Sequence, residues 1–491
     1  MNGSEAVNIL QEKGFLLAPK TIELVLSAEN PEEIVNLVLE KCSGKTFILP
    51  EDLEEKTKTK ISPEKKEQPV IVEKAKTFKP LAEEIEARVE KMCDSEILSR
   101  GNVKEFVEYF QDRYNKLVSV LRRRGSITKV KDIRKKTERE LRIAGLVYEK
   151  RRTKNGHLMI TIEDDTGMIN LLVPKSDAQL MATAENTLLD SVIAVDIRKT
   201  NGSLLIAKKI IEPGVMRQDT PSAGEEVMAA VLSDPHVGSK LFMKENFEKM
   251  IAWLQGKTSH EKYLRIAEKV KYIVVTGDLV DGIGVYPGQE NELEYTDIFE
   301  QYQKFSEYLL EIPEYIHIVI IPGNHDAVRT ADPQPAIPLE LLPELKNTGN
   351  IHLGTSPSTW NIHGIKTLVY HGTSFDDIVA NINSATYNEP ETILEKVLMT
   401  RHLHPYYGGK PIIPTEHDSL AINELPNLML TGHIHKNAYL QKNGLLAVNG
   451  GTWQQITPYQ QKQGHKPTPC QLPVIDLNRM NIKVVHFDRG A

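Results

Sequence analysis

Hydrophobic residues change their spacing along the chain, and each change marks a boundary. Within 1–48 they recur at helical intervals. Pro19 and Thr21 open one short helix, and Pro31 opens the next with Glu32 and Glu33 in its first turn. Ile34, Val35, Val38 and Leu39 then share one face. So small a bundle has little core, and the segment reads equally as an independent domain or as a partner-docking module. Residues 49–80 lose the pattern. Lys and Glu alternate with Thr, and Pro63, Pro69 and Pro80 interrupt, as in a charged flexible linker. Segment 81–138 predicts a helical connector. Val103, Phe106, Phe110, Tyr114, Leu117 and Leu121 mark one face of a long helix, which Arg122-Arg123-Arg124-Gly125 brings to an end. Lys129, Lys131, Arg134, Lys135 and Lys136 extend this basic end, first as a solvated face and second as a nucleic-acid contact.

From 139 to 213 the spacing falls to two. Leu141, Ile143 and Val147 predict one strand, and Leu158, Ile160 and Ile162 the next, after the turn Lys154-Asn155-Gly156. Ile169, Leu171 and Val173 follow Asp164-Asp165-Thr166-Gly167. Val192, Ala194 and Asp196 come later, and Asn201-Gly202 turns into the run 204–207. Short strands, glycine turns and one intervening helix predict a small all-β barrel, similar in order and in its Glu-Asp-Asp-Thr-Gly turn to an OB-fold. Tyr148 is nearly its only aromatic, so packing against a neighbouring domain is favoured over direct strand binding. Residues 214–226, rich in Pro, Gly, Ser and Asp, predict a second linker. In 227–491 apolar strands alternate with helical stretches, the pattern of a layered α/β domain.

Composition constrains the partners. A chain of 491 residues exceeds what one core holds. The formal charge of −7 means that nucleic acid, if bound, meets local patches rather than a general positive field. Cys42, Cys93 and Cys470 stand far apart, with no C-x-x-C pair. That argues against a disulfide framework or a cysteine zinc site and suits a reducing cytoplasm. The first residues show no signal-peptide pattern, and the longest apolar runs are strand-sized, so no membrane partner is expected.

The last domain repeats one grammar: an apolar strand, then metal-ligand side chains. The run 227–232 leads into Asp234-Pro235-His236, and 272–275 into Gly277-Asp278-Leu279-Val280-Asp281. The run 316–321 leads into Gly323-Asn324-His325-Asp326, 367–370 into His371-Gly372, and 428–430 into Gly432-His433-Ile434-His435. Side chains at the C-terminal ends of strands converge on one edge of a sheet. Imidazole and carboxylate together suit divalent transition ions, and two neighbouring ions need a bridging carboxylate. In an extended segment, D-x-H and H-x-H would place both side chains on one side. A lone D-x-H is weak evidence; a series of such segments in order, each after a strand, points to a metal centre.

The series D-x-H, G-D-x-x-D, G-N-H-D, His-Gly and G-H-x-H resembles the calcineurin-like metallophosphoesterase superfamily. The resemblance implies a four-layer α/β domain, making the whole a multidomain chain: helical N-terminus, OB-like barrel, then phosphoesterase. It implies that Asp234, His236 and His435 hold one ion, that Asn324, His371 and His433 hold a second, and that Asp278 bridges them. His325 would face the scissile phosphate, oriented by Asp326, while Asp281 stands behind the ligands. Manganese is the ion such nucleases favour, although the residues themselves do not choose among Mn, Fe, Ni and Zn. The domain order, the stretch Arg401-His402-Leu403-His404-Pro405-Tyr406-Tyr407-Gly408-Gly409-Lys410 and the stretch from Tyr370 to Asp377 are similar to the small subunits of archaeal family-D DNA polymerases. That family implies a 3′-to-5′ exonuclease that trims single-stranded or mismatched DNA 3′ ends in a heterodimer with a large polymerase subunit. The alternatives are an accessory scaffold and a stand-alone phosphodiesterase or RNA nuclease.

Overall fold

A computed structural model describes residues 2–13, 15–17, 19–28, 30–41, 47–48, 80–201, 204–258 and 260–488. The expected linker of 49–80 lies outside them, apart from Pro80, as do Cys42 and Gly202. Helices Gly3–Glu12, Pro19–Ser27 and Pro31–Lys41 bury Ala6, Leu10, Val25, Val35 and Val38 in a core of their own. Asn2 and Glu5 close a capping box at the first of them. A short parallel pair, Leu16–Leu17 with Phe47–Ile48, adds to this unit.

The barrel consists of strands Glu140–Arg152, Leu158–Asp164, Gly167–Val173, Val192–Lys199 and Leu205–Ile211. They close in the order first, second, third, fifth, fourth, with the fourth paired back onto the first. Helix Ala178–Glu185 lies between the third and fourth. Ile143, Ile160, Ile162, Leu171, Val195 and Ile197 fill the interior, the alternate residues that period-two spacing selects.

Helix Val103–Arg122, capped by the Asn102 side chain on the Glu105 amide, joins the barrel to the C-terminal part of the chain. Tyr114, Leu117, Val118 and Leu121 pack on Ala144, Val192 and Ala194 of the barrel. Tyr109, one turn earlier, enters the core around Phe375, Leu394 and Leu398.

That C-terminal part is built on two six-stranded sheets. The first runs Ile351–Leu353, His317–Ile320, Val270–Val275, Met228–Leu232, Gln471–Asp476, Asn481–His486. The second runs Ala438–Lys442, Leu445–Asn449, Leu428–Thr431, Ile365–Val369, Ser358–Ile362, Val89–Asp94. Their facing sides share a core that includes Val231, Val274, Val319, Trp360, Leu430 and Val448. Helices Lys244–Leu254 and Ile298–Leu310 cover the outer side of the first sheet, and Phe375–Asn381 and Pro390–Thr400 that of the second. The layers are therefore helix, sheet, sheet, helix.

Strand Val89–Asp94 departs from the expected helical connector: it pairs antiparallel with Ser358–Ile362 at the edge of the second sheet. All but Val89 of its residues are exposed, so its sequence carries no buried-face alternation to read. Among the described residues no helix is long and apolar enough to cross a membrane.

Candidate metal centre

Parallel strands bring the candidate ligands together. Met228–Leu232, Val270–Val275 and His317–Ile320 run parallel in the first sheet, and Ile365–Val369 and Leu428–Thr431 in the second. Asp234 and His236 follow the first of these strands, Asp278 the second, Asn324 the third, His371 the fourth, and His433 and His435 the fifth. This is the carboxyl edge, where open α/β sheets collect their functional groups.

The side chains converge in two groups. One ligand atom from each of Asp234, His236, Asp278 and His435 lies within 4.8 Å of the others, and Asp278, His371 and His433 meet the same limit. Asp278 belongs to both. His236 Nε2 and His435 Nε2 are 3.0 Å apart, and His435 Nε2 is 3.3 Å from Asp234 Oδ1. In the second group His371 Nε2 lies 3.3 Å from Asp278 Oδ2 and 3.1 Å from Asn324 Oδ1, so Asn324 joins it.

The far side of three of the four rings is held. His371 Nδ1 donates to the Thr276 carbonyl oxygen at 2.8 Å, which turns Nε2 inward. His236 Nδ1 faces Asp281 Oδ1 at 3.1 Å, and Asp281 accepts amide hydrogens from Gln289 and Gln454 as well. His435 Nδ1 lies 2.9 Å from Gln460 Nε2. Close packing of backbone does the rest. A side chain at Gly323 would start 2.2 Å from Asp278 Oδ1, and one at Gly277 2.6 Å from His371 Nδ1.

The donor set suits a divalent cation in type and in charge. Burial disfavours a charged His371 ring, yet Asp278 and Asp234 outweigh it and raise the ring to about 10. Burial likewise opposes ionisation of Asp278, but His371 and His325 hold its carboxyl well below the usual range. Two buried carboxylates thus draw positive charge into the centre, which a metal ion is able to supply.

Some expectations need correction. The D-x-H and H-x-H segments are not extended. Asp234 (φ 49°), His236 (52°), Asp278 (51°), His433 (71°) and His435 (59°) all adopt left-handed backbone. Each sits in a sharp turn after its strand, so His433 and His435 point into different groups. Such conformations cost about 1–3 kcal/mol each and gather at functional sites. Asp326 makes no hydrogen bond to the His325 ring. Its carboxylate accepts the Gly323 amide at 2.8 Å and the Tyr302 hydroxyl at 3.0 Å, so it ties down the turn itself. The His325 ring is oriented instead by the Asp281 carbonyl oxygen, 2.8 Å from Nδ1.

Asp376 has no place in the expected site, yet its Oδ1 lies 3.3 Å from His433 Nε2 and its Oδ2 is 2.9 Å from Lys410 Nζ. Its signals in the sequence are a pair of carboxylates shortly after His371-Gly372 and its place in the family-like stretch from Tyr370 to Asp377.

Fold and side chains together define a class: a multidomain α/β protein with a small barrel and a buried carboxylate–imidazole cluster that could hold metal. Sequence relatives narrow it. The chain belongs to the family of archaeal DNA polymerase II small subunits. It is 40% identical to that of Methanocaldococcus jannaschii over 425 residues, 84% of this chain and 71% of the relative. It is 36% identical to that of Archaeoglobus fulgidus over 468 residues, 94% of this chain and 93% of the relative. The DNA polymerase alpha/epsilon B-subunit family matches residues 229–439. A solved archaeal phosphodiesterase aligns over 53% of this chain and 99% of its own at TM-score 0.27 and 13% identity, too distant a likeness to add to the argument.

Proposed function

We propose that this chain is the 3′-to-5′ exonuclease of a heterodimeric DNA polymerase whose synthetic activity resides in a separate large subunit. The observation that carries the reading is Asp278 shared between two largely buried donor groups. Asp234, His236 and His435 would hold one divalent ion, Asn324, His371 and His433 the other, and Asp278 both, with manganese the favoured ion. When bound, such a pair supplies an activated water and a clamp on the phosphate oxygens. The barrel, read as OB-like, serves to pack the connecting helix rather than to grip DNA.

The residues divide the remaining work. The His325 amide donates to Asp278 Oδ1 at 2.8 Å, which fixes the turn against the shared carboxylate. Because His325 Nδ1 donates to the Asp281 carbonyl oxygen, Nε2 is the ring nitrogen left for substrate. In the doubly protonated ring, the Nε2–H there stabilises charge on the scissile phosphate and passes its proton to the leaving 3′ oxygen, which leaves the ring neutral. Asp281 keeps Nε2 of His236 aimed inward.

Purified chain, incubated with 5′-labelled single-stranded DNA and Mn²⁺, is expected to give a ladder of shortened products. The His325→Ala variant is expected to lose about 10²–10⁴-fold in rate while keeping its metal by elemental analysis. No ladder from the wild-type chain, alone or with a large subunit, would reject the exonuclease reading. Loss of metal from His325→Ala would make that residue a ligand instead. Asp281→Asn should weaken Mn²⁺ binding about 10–100-fold in calorimetric titration, since the His236 ring loses its charged partner. Unchanged affinity would show that Asp281 does not orient the ring.

A further inference from the structure

The rim of the centre beside His433 and His435 carries aromatic rings and cations that the hydrolytic scheme leaves unused. Gln460, whose amide reaches His435, lies in the short helix Pro458–Lys462, and Thr457 locks the start of that helix with a capping box. Tyr459, the preceding residue, is 68% exposed. It is an electrostatic neighbour of Tyr387 and Lys410. Tyr387 in turn donates to Asp376 Oδ1 at 3.0 Å, the same oxygen that faces His433, and its ring lies 4.3 Å from that of His465. The Asn388 side chain donates to the Gly464 carbonyl at 3.3 Å and ties the two rim segments together.

Charge follows the rings. Lys462, one helical turn after Tyr459 and on the same face, is exposed and has no ion-pair partner among the described residues. Lys410 neutralises Asp376, which would otherwise repel a phosphate approaching His433. A single exposed tyrosine is ordinary on any protein surface. Tyr459 differs in standing on a capped helix, one residue from a side chain that grips a candidate ligand, and beside a lysine with no ion-pair partner among the described residues.

We propose that this rim is a subsite for one unpaired nucleotide next to the scissile phosphodiester. The base stacks on Tyr459 and the adjoining phosphate meets Lys462. A base inside a duplex offers no free face to such a ring, so the subsite selects single strands or frayed ends. The proposal rests on the exonuclease reading, and it names what that centre accepts.

The test reads binding without metal. The full chain, in EDTA and low salt, is titrated against a 5′-fluorescein oligothymidylate followed by anisotropy. Tyr459→Ala is expected to weaken the dissociation constant about tenfold, with Tyr459→Phe within about twofold of wild type. Lys462→Ala should weaken binding and lower the salt slope by about 0.7, the value for one lost phosphate contact on a single strand. On an oligonucleotide lacking the bases at its 3′ end, wild type and Tyr459→Ala should bind alike. Tyr459→Ala within twofold of wild type on the intact strand would overturn the proposal. So would a tenfold loss that persists on the abasic strand, since it would not arise from stacking. Because no metal is present, a wild-type chain that makes no ladder in the hydrolysis assay sinks the exonuclease reading and leaves this comparison intact.

Discussion

If the centre holds metal as proposed, Asp278→Asn will leave the chain folded and empty that centre. The side chain is isosteric, so the packing against Gly323 and the bond from the His325 amide to Oδ1 can persist. What disappears is the charge shared by both donor groups. Oδ2 lies 3.3 Å from His371 Nε2 and 3.7 Å from His236 Nε2, so one residue faces the histidines of both. On the two-ion reading proposed above, a neutral amide there would not offset the charge of the ions, and its hydrogens would oppose them. Several kcal/mol of transition-state stabilisation go with the metal, which converts to a rate loss of about 10³-fold or more. A second readout does not depend on catalysis. Mn²⁺ at about a hundred times its dissociation constant stabilises a protein that binds it only when folded by about 2.7 kcal/mol. The wild-type thermal transition should therefore rise with Mn²⁺, and that of Asp278→Asn should stay where it is. A variant that keeps its metal and its ladder would show that the two groups do not depend on Asp278.

The two halves of the candidate site differ in how visible they are in the sequence. Asp234, His236, Asp278, Asn324, His371, His433 and His435 can be singled out because each follows a buried strand, and strand runs and short motifs are local patterns. The family resemblance is equally open, since it rests on contiguous motifs. The supporting residues are not. Asp376 meets His433, and Gln460 meets His435, across loops from different parts of the chain, and nothing in the spacing announces those contacts. The turn geometry is hidden for a related reason. D-x-H in a strand and D-x-H in a left-handed turn have the same letters, and only the abrupt end of the strand at Leu232 separates them. Strand Val89–Asp94 is hidden because an exposed edge imposes no alternation, and its partner lies far along the chain at Ser358–Ile362. Sequence adjacency links Asp326 to the ring beside it, whereas its bonds run to Gly323 and Tyr302. Residues that face a core are legible one segment at a time; residues that hold other residues become legible only once the segments are assembled.

Arg113→Ala will destabilise the chain more than any change to the exposed charges around it. Arg113 and Asp418 are both fully buried, with Nε 2.8 Å from Oδ2. The guanidinium also donates to the carbonyls of Pro405 and Asp190, and so joins the connecting helix, two loops of the C-terminal part and a loop before the fourth barrel strand. Truncation leaves Asp418 charged and buried without its cation, a loss of about 3–5 kcal/mol. The exposed pair Arg265–Glu261 would cost under about 1 kcal/mol by comparison. His402 gives the effect a pH signature. Its Nε2 lies 2.7 Å from Asp418 Oδ2, and burial, with Arg113 second, pushes the ring down to about 4. A histidine with a depressed folded pKa contributes stability above its unfolded value near 6.5, and that contribution is lost as pH falls toward 4. Without Arg113 the ring is free to take a proton and pair with Asp418. The gap between variant and wild type should therefore be widest at pH 8 and narrow toward pH 5, in denaturant titrations of the full chain. Replacing both partners, Arg113→Met with Asp418→Leu, should recover at least half of the single-variant loss, because no unpaired charge stays buried. A single variant within about 1 kcal/mol of wild type at pH 8 would mean that this pin does not hold the helix, barrel and C-terminal part together, and that the apolar contacts of Tyr109 and Tyr114 suffice.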